Sequence, residues 1–174
     1  WQSVSIVEDK ELFVWNTDIT PPATQWSAQY KKVYVANQVL DVLKTLDETQ
    51  QSRTLKGEAL FFRAYAHFSL GELFVPIPLT NGTNKDSEAI PYRKTPNIED
   101  RVERSTIGEF YQQLLQDAND AAILLPPTGN VPSTPTKVAA NALLARIYLY
   151  LQDYPRAVQY ANACLREKSD LLDF

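Results

Sequence analysis

Nucleophilic hydrolysis by a triad needs a base beside its serine or cysteine, and the chain has a single histidine, His67. It lies in GEALFFRAYAHFSLGELFVPIPL, residues 57–79, between Ala66 and Phe68. An imidazole alone on an apolar helix is expected to be a hydrogen-bonded core residue, not a base. The same scarcity argues against zinc, which needs three or four His, Cys or carboxylate ligands at compact spacing. The one cysteine, Cys164, falls in a helical pattern with no internal disulfide partner and is expected to be a small buried residue. Five glycines, at 57, 71, 82, 108 and 129, stand too far apart to form a phosphate-cradling loop. Carboxylates cluster in EDKE at 8–11, DE at 47–48 and IEDRVE at 98–103. They could pair as glycosidase acids, but a solvated surface places charge in the same way. The pattern predicts no catalytic residue, no metal ligand and no cofactor site.

Binding chemistry is better supported. Trp15 is followed by Asn16, Thr17 and Asp18 in a stretch without helical period. An aromatic face beside amide and carboxylate groups suits a sugar, whose apolar ring face stacks while its hydroxyls are hydrogen-bonded. Trp15, Asn16 and Asp18 are therefore the candidate ligand contacts, with Trp15 as a core anchor the alternative reading. Trp26 opens a helical period and is expected to pack. Asn81-Gly82-Thr83 matches a glycosylation acceptor pattern, but Asn-Gly is a strong turn dipeptide and a turn is expected.

The elements that must position these residues are helices. The chain has 174 residues, 44% hydrophobic and 22% charged, in the range of one globular domain or a portion of a larger one. Its net charge of −4, with signs interspersed, leaves no basic stripe for nucleic acid. The longest apolar run, VAANALLARIYLYL, contains Asn141 and Arg146 and lacks the roughly 20 apolar residues of a membrane span. The sequence opens at Trp1, contains no methionine and is expected to be a fragment, with any signal peptide or lipid-attachment site upstream.

Residues 107–125 carry apolar side chains at a period of 3.6, with capping-box spacing at Thr106 and Glu109 and a stop at Pro126-Pro127. Further periods predict helices over about 25–46, 56–74, 137–151 and 155–167. The helix at 56–74 is apolar on nearly every side, so other helices or a partner must enclose it. In the last pair, Asn141, Leu144, Ala145, Tyr148, Ala157 and Ala161 fall at tetratricopeptide spacing, and Tyr154, Ala157, Val158, Ala161, Cys164 and Leu165 share one face. Small residues at the crossing let the two axes approach, with Tyr148 filling the groove. An unspecialised helical hairpin has similar needs. Segment 75–105 exceeds the usual length of a structureless connection and is a candidate contact surface.

Three of these segments, in order, resemble one family. Residues 57–79 look like the signature helix of SusD/RagB-like nutrient-binding proteins, with Gly-Glu-Ala, then Phe-x-Arg-Ala-Tyr, then Leu-Phe and Pro-Leu. RSTIGEFYQQLLQDANDAAILLP and TKVAANALLARIYLYLQDYPRAVQYANACL resemble the two segments that follow, and WSAQYKKVYVANQVL the helix that precedes. One departure is Phe74-Val75-Pro76, where the family often has an aromatic-Gly pair before its Pro-Leu. The resemblance implies the N-terminal, all-α, tetratricopeptide-like portion of a longer protein, with antiparallel helix pairs in a right-handed array and long irregular loops. It also implies an outer-membrane lipoprotein, anchored at the cell surface by an N-terminal lipid outside this sequence. Such a protein would bind an oligosaccharide, or less often another nutrient, without catalysis and serve a TonB-dependent, SusC-like transporter. In the family's starch-binding member, loops before the first repeat helix contribute to the glycan site, which is the position of Trp15, Asn16 and Asp18. The alternative from another class is a tetratricopeptide scaffold that binds only protein.

Overall fold

The computed structural model describes residues 24–79, 82–129, 131 and 133–169, which form five helices: α1 (Thr24–Leu43), α2 (Gln50–Phe74), α3 (Ile107–Leu124), α4 (Lys137–Tyr150) and α5 (Tyr154–Glu167). Among the described residues there is no β-strand, only an isolated antiparallel bridge between Glu88 and Thr106. Each helix packs mainly on its neighbours in sequence, and α2 also touches α4. The architecture is all-α and tetratricopeptide-like.

Capping sets most boundaries. At Thr49, ahead of α2, the side chain accepts from the Ser52 amide while Ser52 Oγ accepts from the Thr49 amide at 2.7 Å. That box starts α2 six residues before the apolar period predicts, because QQSRT is polar and carries no period. α1 closes at Leu43, short of the predicted end, where the amides of Lys44 and Thr45 turn back onto the carbonyls of Asp41 and Val42 in tighter i→i−3 bonds. Thr106 and Glu109 form the reciprocal box expected for α3. Thr136 caps α4. Asp153 caps α5, and Pro155 sits in its first turn, where no amide is needed. Between α4 and α5 the chain reverses through Gln152 at φ 62°.

The core lies where α2 meets α3 and α4: Phe68, Leu70, Ile107, Phe110, Leu114, Leu144 and Ile147 are all fully enclosed. Two glycines set the α2–α3 approach. A Cβ on Gly57 would stand 3.0 Å from Leu124 Cβ and 3.2 Å from the Leu125 amide nitrogen, and one on Gly71 would stand 3.0 Å from the Phe110 ring.

Two apolar surfaces stay partly open among the described residues. Leu55, Phe62 and Tyr65 of α2 are exposed and, with Val35 and Val39 of α1, line an open groove of about 650 Å³. Enclosure of α2 is thus partial. On α5 only Ala157 is buried, Val158 and Leu165 are more than half exposed, and Cys164 is half-buried instead of buried. Among the helices α5 packs mainly on α4, with the Tyr160 hydroxyl donating to Asn119 Oδ1 on α3 at 2.9 Å, and among the described residues part of its apolar face is left uncovered. The α4–α5 crossing itself is tight. Tyr148 stacks on Tyr160 with centroids 5.4 Å apart, and the Arg156 guanidinium lies over the Tyr148 ring.

Candidate functional site

One buried polar cluster shapes the site. Arg63 on α2 donates from Nε to Asp117 Oδ2 at 2.6 Å and from Nη2 to Asp117 Oδ1 at 2.7 Å, a two-pronged pair between α2 and α3. Burial alone would lower the Arg63 pKa, but hydrogen bonding to Asp117 and its charge raise it overall. Arg63 Nη1 donates to Asn37 Oδ1 on α1 at 2.9 Å, so three helices meet at one guanidinium. The Tyr92 hydroxyl donates to Asp117 Oδ2 at 2.6 Å, and its pKa is raised, first by burial and then by the Asp117 charge.

The cluster reaches the long loop through backbone contacts. Asn37 Nδ2 donates to the carbonyls of Arg93 and Thr95, and the Tyr30 hydroxyl donates to the Pro91 carbonyl at 2.8 Å. His67 bridges the two systems. Its Nε2 accepts from the Arg93 amide, which leaves the proton on Nδ1 to be donated to the Arg63 carbonyl. Burial drives its pKa down to about 3, so the ring is neutral. It stacks on Tyr92 at 3.8 Å between centroids. This histidine is a packed, hydrogen-bonded core residue.

Held this way, residues 91–102 stand beside α1 and enclose a cleft of about 420 Å³. Its α1 wall carries Trp26, Tyr30 and Tyr34, one helical turn apart, and its loop wall carries Pro91, Arg93 and Ile98. Trp26 is half-buried, edge-on to Phe74 and against Tyr30, whereas Tyr34 is 39% exposed. Aromatic faces next to a guanidinium can stack a flat ligand and hydrogen-bond its polar edge. Among the described residues no group of three or more His, Cys, Asp or Glu is arranged to hold a metal ion.

The predicted contacts Trp15, Asn16 and Asp18 lie outside the described residues, as does Asn81. Gly82 has φ 71° and its amide donates to the Leu79 carbonyl, as a turn requires. In the sequence Tyr30 and Tyr34 show only as positions of the helical period that Trp26 opens. Their spacing from Trp26 was the available signal for an aromatic wall, but nothing in the sequence singles out Arg93 within the loop.

Comparison with known proteins bears on what this scaffold is. A family model, SusD-like_3, described as starch-binding associating with outer membrane, matches residues 1–149. SusD-like protein P2 of Formosa agariphila is 25% identical over 145 residues, 83% of this chain and 27% of that protein. Among solved structures, a putative sugar binding protein from Bacteroides vulgatus ATCC 8482 superposes with a TM-score of 0.78 at 27% identity, over 91% of this chain and 36% of its own. A SusD superfamily protein from Bacteroides thetaiotaomicron VPI-5482 does so with a TM-score of 0.74 at 25% identity, over 86% of this chain and 33% of its own. The chain therefore spans about a third or less of the length of these relatives. Since the family model covers well over half of the sequence, including every helix that contributes to the cleft, the chain belongs to the SusD-like family.

Proposed function

We propose that the chain is the N-terminal helical portion of a cell-surface protein that binds oligosaccharide without catalysis and delivers it to a TonB-dependent, SusC-like outer-membrane transporter. The observation that carries this reading is the family match over residues 1–149, with its starch-binding and outer-membrane description. The aromatic cleft supports it, since stacking surface and hydrogen-bonding groups adjoin there. Trp15, Asn16 and Asp18 are proposed as further contacts, in the segment that leads directly into α1. No helix among the described residues is long and apolar enough to cross a membrane, and attachment is assigned to a lipid upstream of Trp1. Calorimetric titration of the full-length protein with an oligosaccharide panel tests the binding, and failure of every glycan to bind would end this reading. Membrane extraction and affinity purification should co-purify a large β-barrel protein.

One observation favours a second reading, a tetratricopeptide scaffold that binds only protein. The open groove between α1 and α2 presents Val35, Leu55, Phe62 and Tyr65 as apolar surface of the kind protein partners cover. Recovery of soluble proteins only, with no glycan binding, would favour the scaffold.

A further inference from the structure

Among the described residues lining the cleft between α1 and residues 91–102, Arg93 is the one charged side chain. Its backbone is pinned on both sides, by the amide on His67 Nε2 and the carbonyl on Asn37 Nδ2, so the guanidinium projects from a fixed point. Of the five N–H donors a guanidinium carries, the bond from Nη2 to the Asn97 carbonyl occupies one. No carboxylate lies within ion-pair distance of it among the described residues. Arg53, Arg63, Arg104, Arg146 and Arg156 all have one, at 3.4 Å or closer. Asp100, in the same loop, is engaged by Thr95 and Asn97 instead. Burial raises the Tyr30 hydroxyl's pKa, and the Arg93 charge across the cleft offsets part of that rise.

A half-buried cation with no counter-ion among the described residues, beside exposed aromatic surface, is complementary to a ligand with an apolar ring face and an anionic edge. We propose that this cleft takes an anionic sugar unit, a uronate or a sulfated residue, with its ring against Tyr34 and its acidic group on Arg93. The proposal rests on the oligosaccharide reading above and narrows its substrate class.

The test titrates full-length protein with neutral gluco-oligosaccharides, an oligogalacturonate and a sulfated galacto-oligosaccharide, at low and high salt, comparing wild type, Arg93→Gln and Tyr34→Ala. At low salt an acidic glycan should bind about tenfold or more tighter than the neutral ones, the range of one charge-assisted bidentate contact. In Arg93→Gln the acidic-to-neutral affinity ratio should collapse towards one while the unfolding temperature stays near wild type. High salt should erode the same ratio. Whichever acidic arm shows the preference identifies carboxylate or sulfate as the group read. Equal affinities for neutral and acidic glycans, weakened alike by Tyr34→Ala and unmoved by Arg93→Gln, would overturn the anionic assignment and leave the cleft as a sugar site. Glycan binding unaffected by either variant would remove the cleft, and absence of all binding would remove the oligosaccharide reading with it.

Discussion

Asp117→Asn is the most informative single perturbation of the scaffold. The Arg63 and Asp117 side chains are 8% and 7% exposed, and their two hydrogen bonds measure 2.6 and 2.7 Å. Replacing the carboxylate by an amide leaves the guanidinium buried without its counter-charge and turns an N–H₂ towards a donor. Breaking one side of such a pair costs about 3–5 kcal/mol, because the surviving charge stays desolvated. In a chain of this size that is a fall in melting temperature of roughly 6–20 °C. Arg63→Met should cost a similar amount for the converse reason: the Asp117 carboxylate keeps only the Tyr92 hydroxyl. The two losses cannot both be incurred in full, since the double variant contains neither orphaned charge. Its cost should fall about 3 kcal/mol short of the sum. Urea unfolding of all four proteins at pH 7, followed by circular dichroism with the slope m checked for constancy, measures the cycle. Additive losses, or a single-variant cost under about 1 kcal/mol, would refute the claim that this pair acts as one buried unit.

The remaining predictions concern three other sites. His67 is held neutral with a pKa near 3, against an ordinary 6.5. Below pH 6.5 the unfolded chain therefore binds a proton that the folded chain refuses, and stability should fall as pH drops, by up to about 1.4 kcal/mol per unit. Unfolding midpoints between pH 7.5 and 5, above the range in which the lowered Glu48 and Glu109 carboxyls titrate, should show this slope in wild type and a flatter one in His67→Gln. Gly57→Ala should destabilise by about 1–3 kcal/mol despite alanine's better helix propensity, because its methyl meets the Leu125 backbone, which cannot step aside as a side chain would; a stabilised variant in thermal melts would contradict that packing. Trp15→Ala should weaken glycan binding with little change in unfolding temperature, whereas a loss of about 3–5 kcal/mol with affinity intact would make Trp15 a core anchor.

The fold was legible where apolar period and capping coincide. Thr106, Glu109 and the Pro126-Pro127 stop defined α3 closely, because cap and period are both local signals. The start of α2 was hidden, since its first turn is polar and its Thr49–Ser52 box lacks the usual glutamate. What covers α2 and α5 was hidden for a different reason. A helical period shows which residues share a face but not what stands opposite, so Phe62 and Val158 look like core in the sequence and are exposed in the fold. The cleft was the least legible feature. Asn37 and Arg63 were readable as polar residues on apolar helices, but their meeting with Asp117, 54 residues beyond Arg63, depends on three helices packing at once.

That meeting explains how an irregular loop can serve as one wall of a binding site. Residues 87–95 form no strand beyond the single bridge, so their peptide groups need partners from elsewhere. The helices and the start of α3 provide them. The Ala89 amide donates to the Ser105 carbonyl, Ser105 Oγ to the Ile90 carbonyl, Tyr30 to Pro91, and Asn37 to both Arg93 and Thr95, while His67 accepts the Arg93 amide. Three of these partners, Tyr30, Asn37 and His67, project from α1 and α2 and are themselves fixed by packing or by Arg63. The loop is therefore ordered before any ligand arrives, and binding need not meet the ordering cost that a mobile wall would impose. The buried ion pair is better understood through this consequence than through its own net stability, which for such pairs is often small. It fixes the Asn37 amide, the Asn37 amide fixes the backbone of residues 93–95, and that backbone aims Arg93 along the aromatic face of α1.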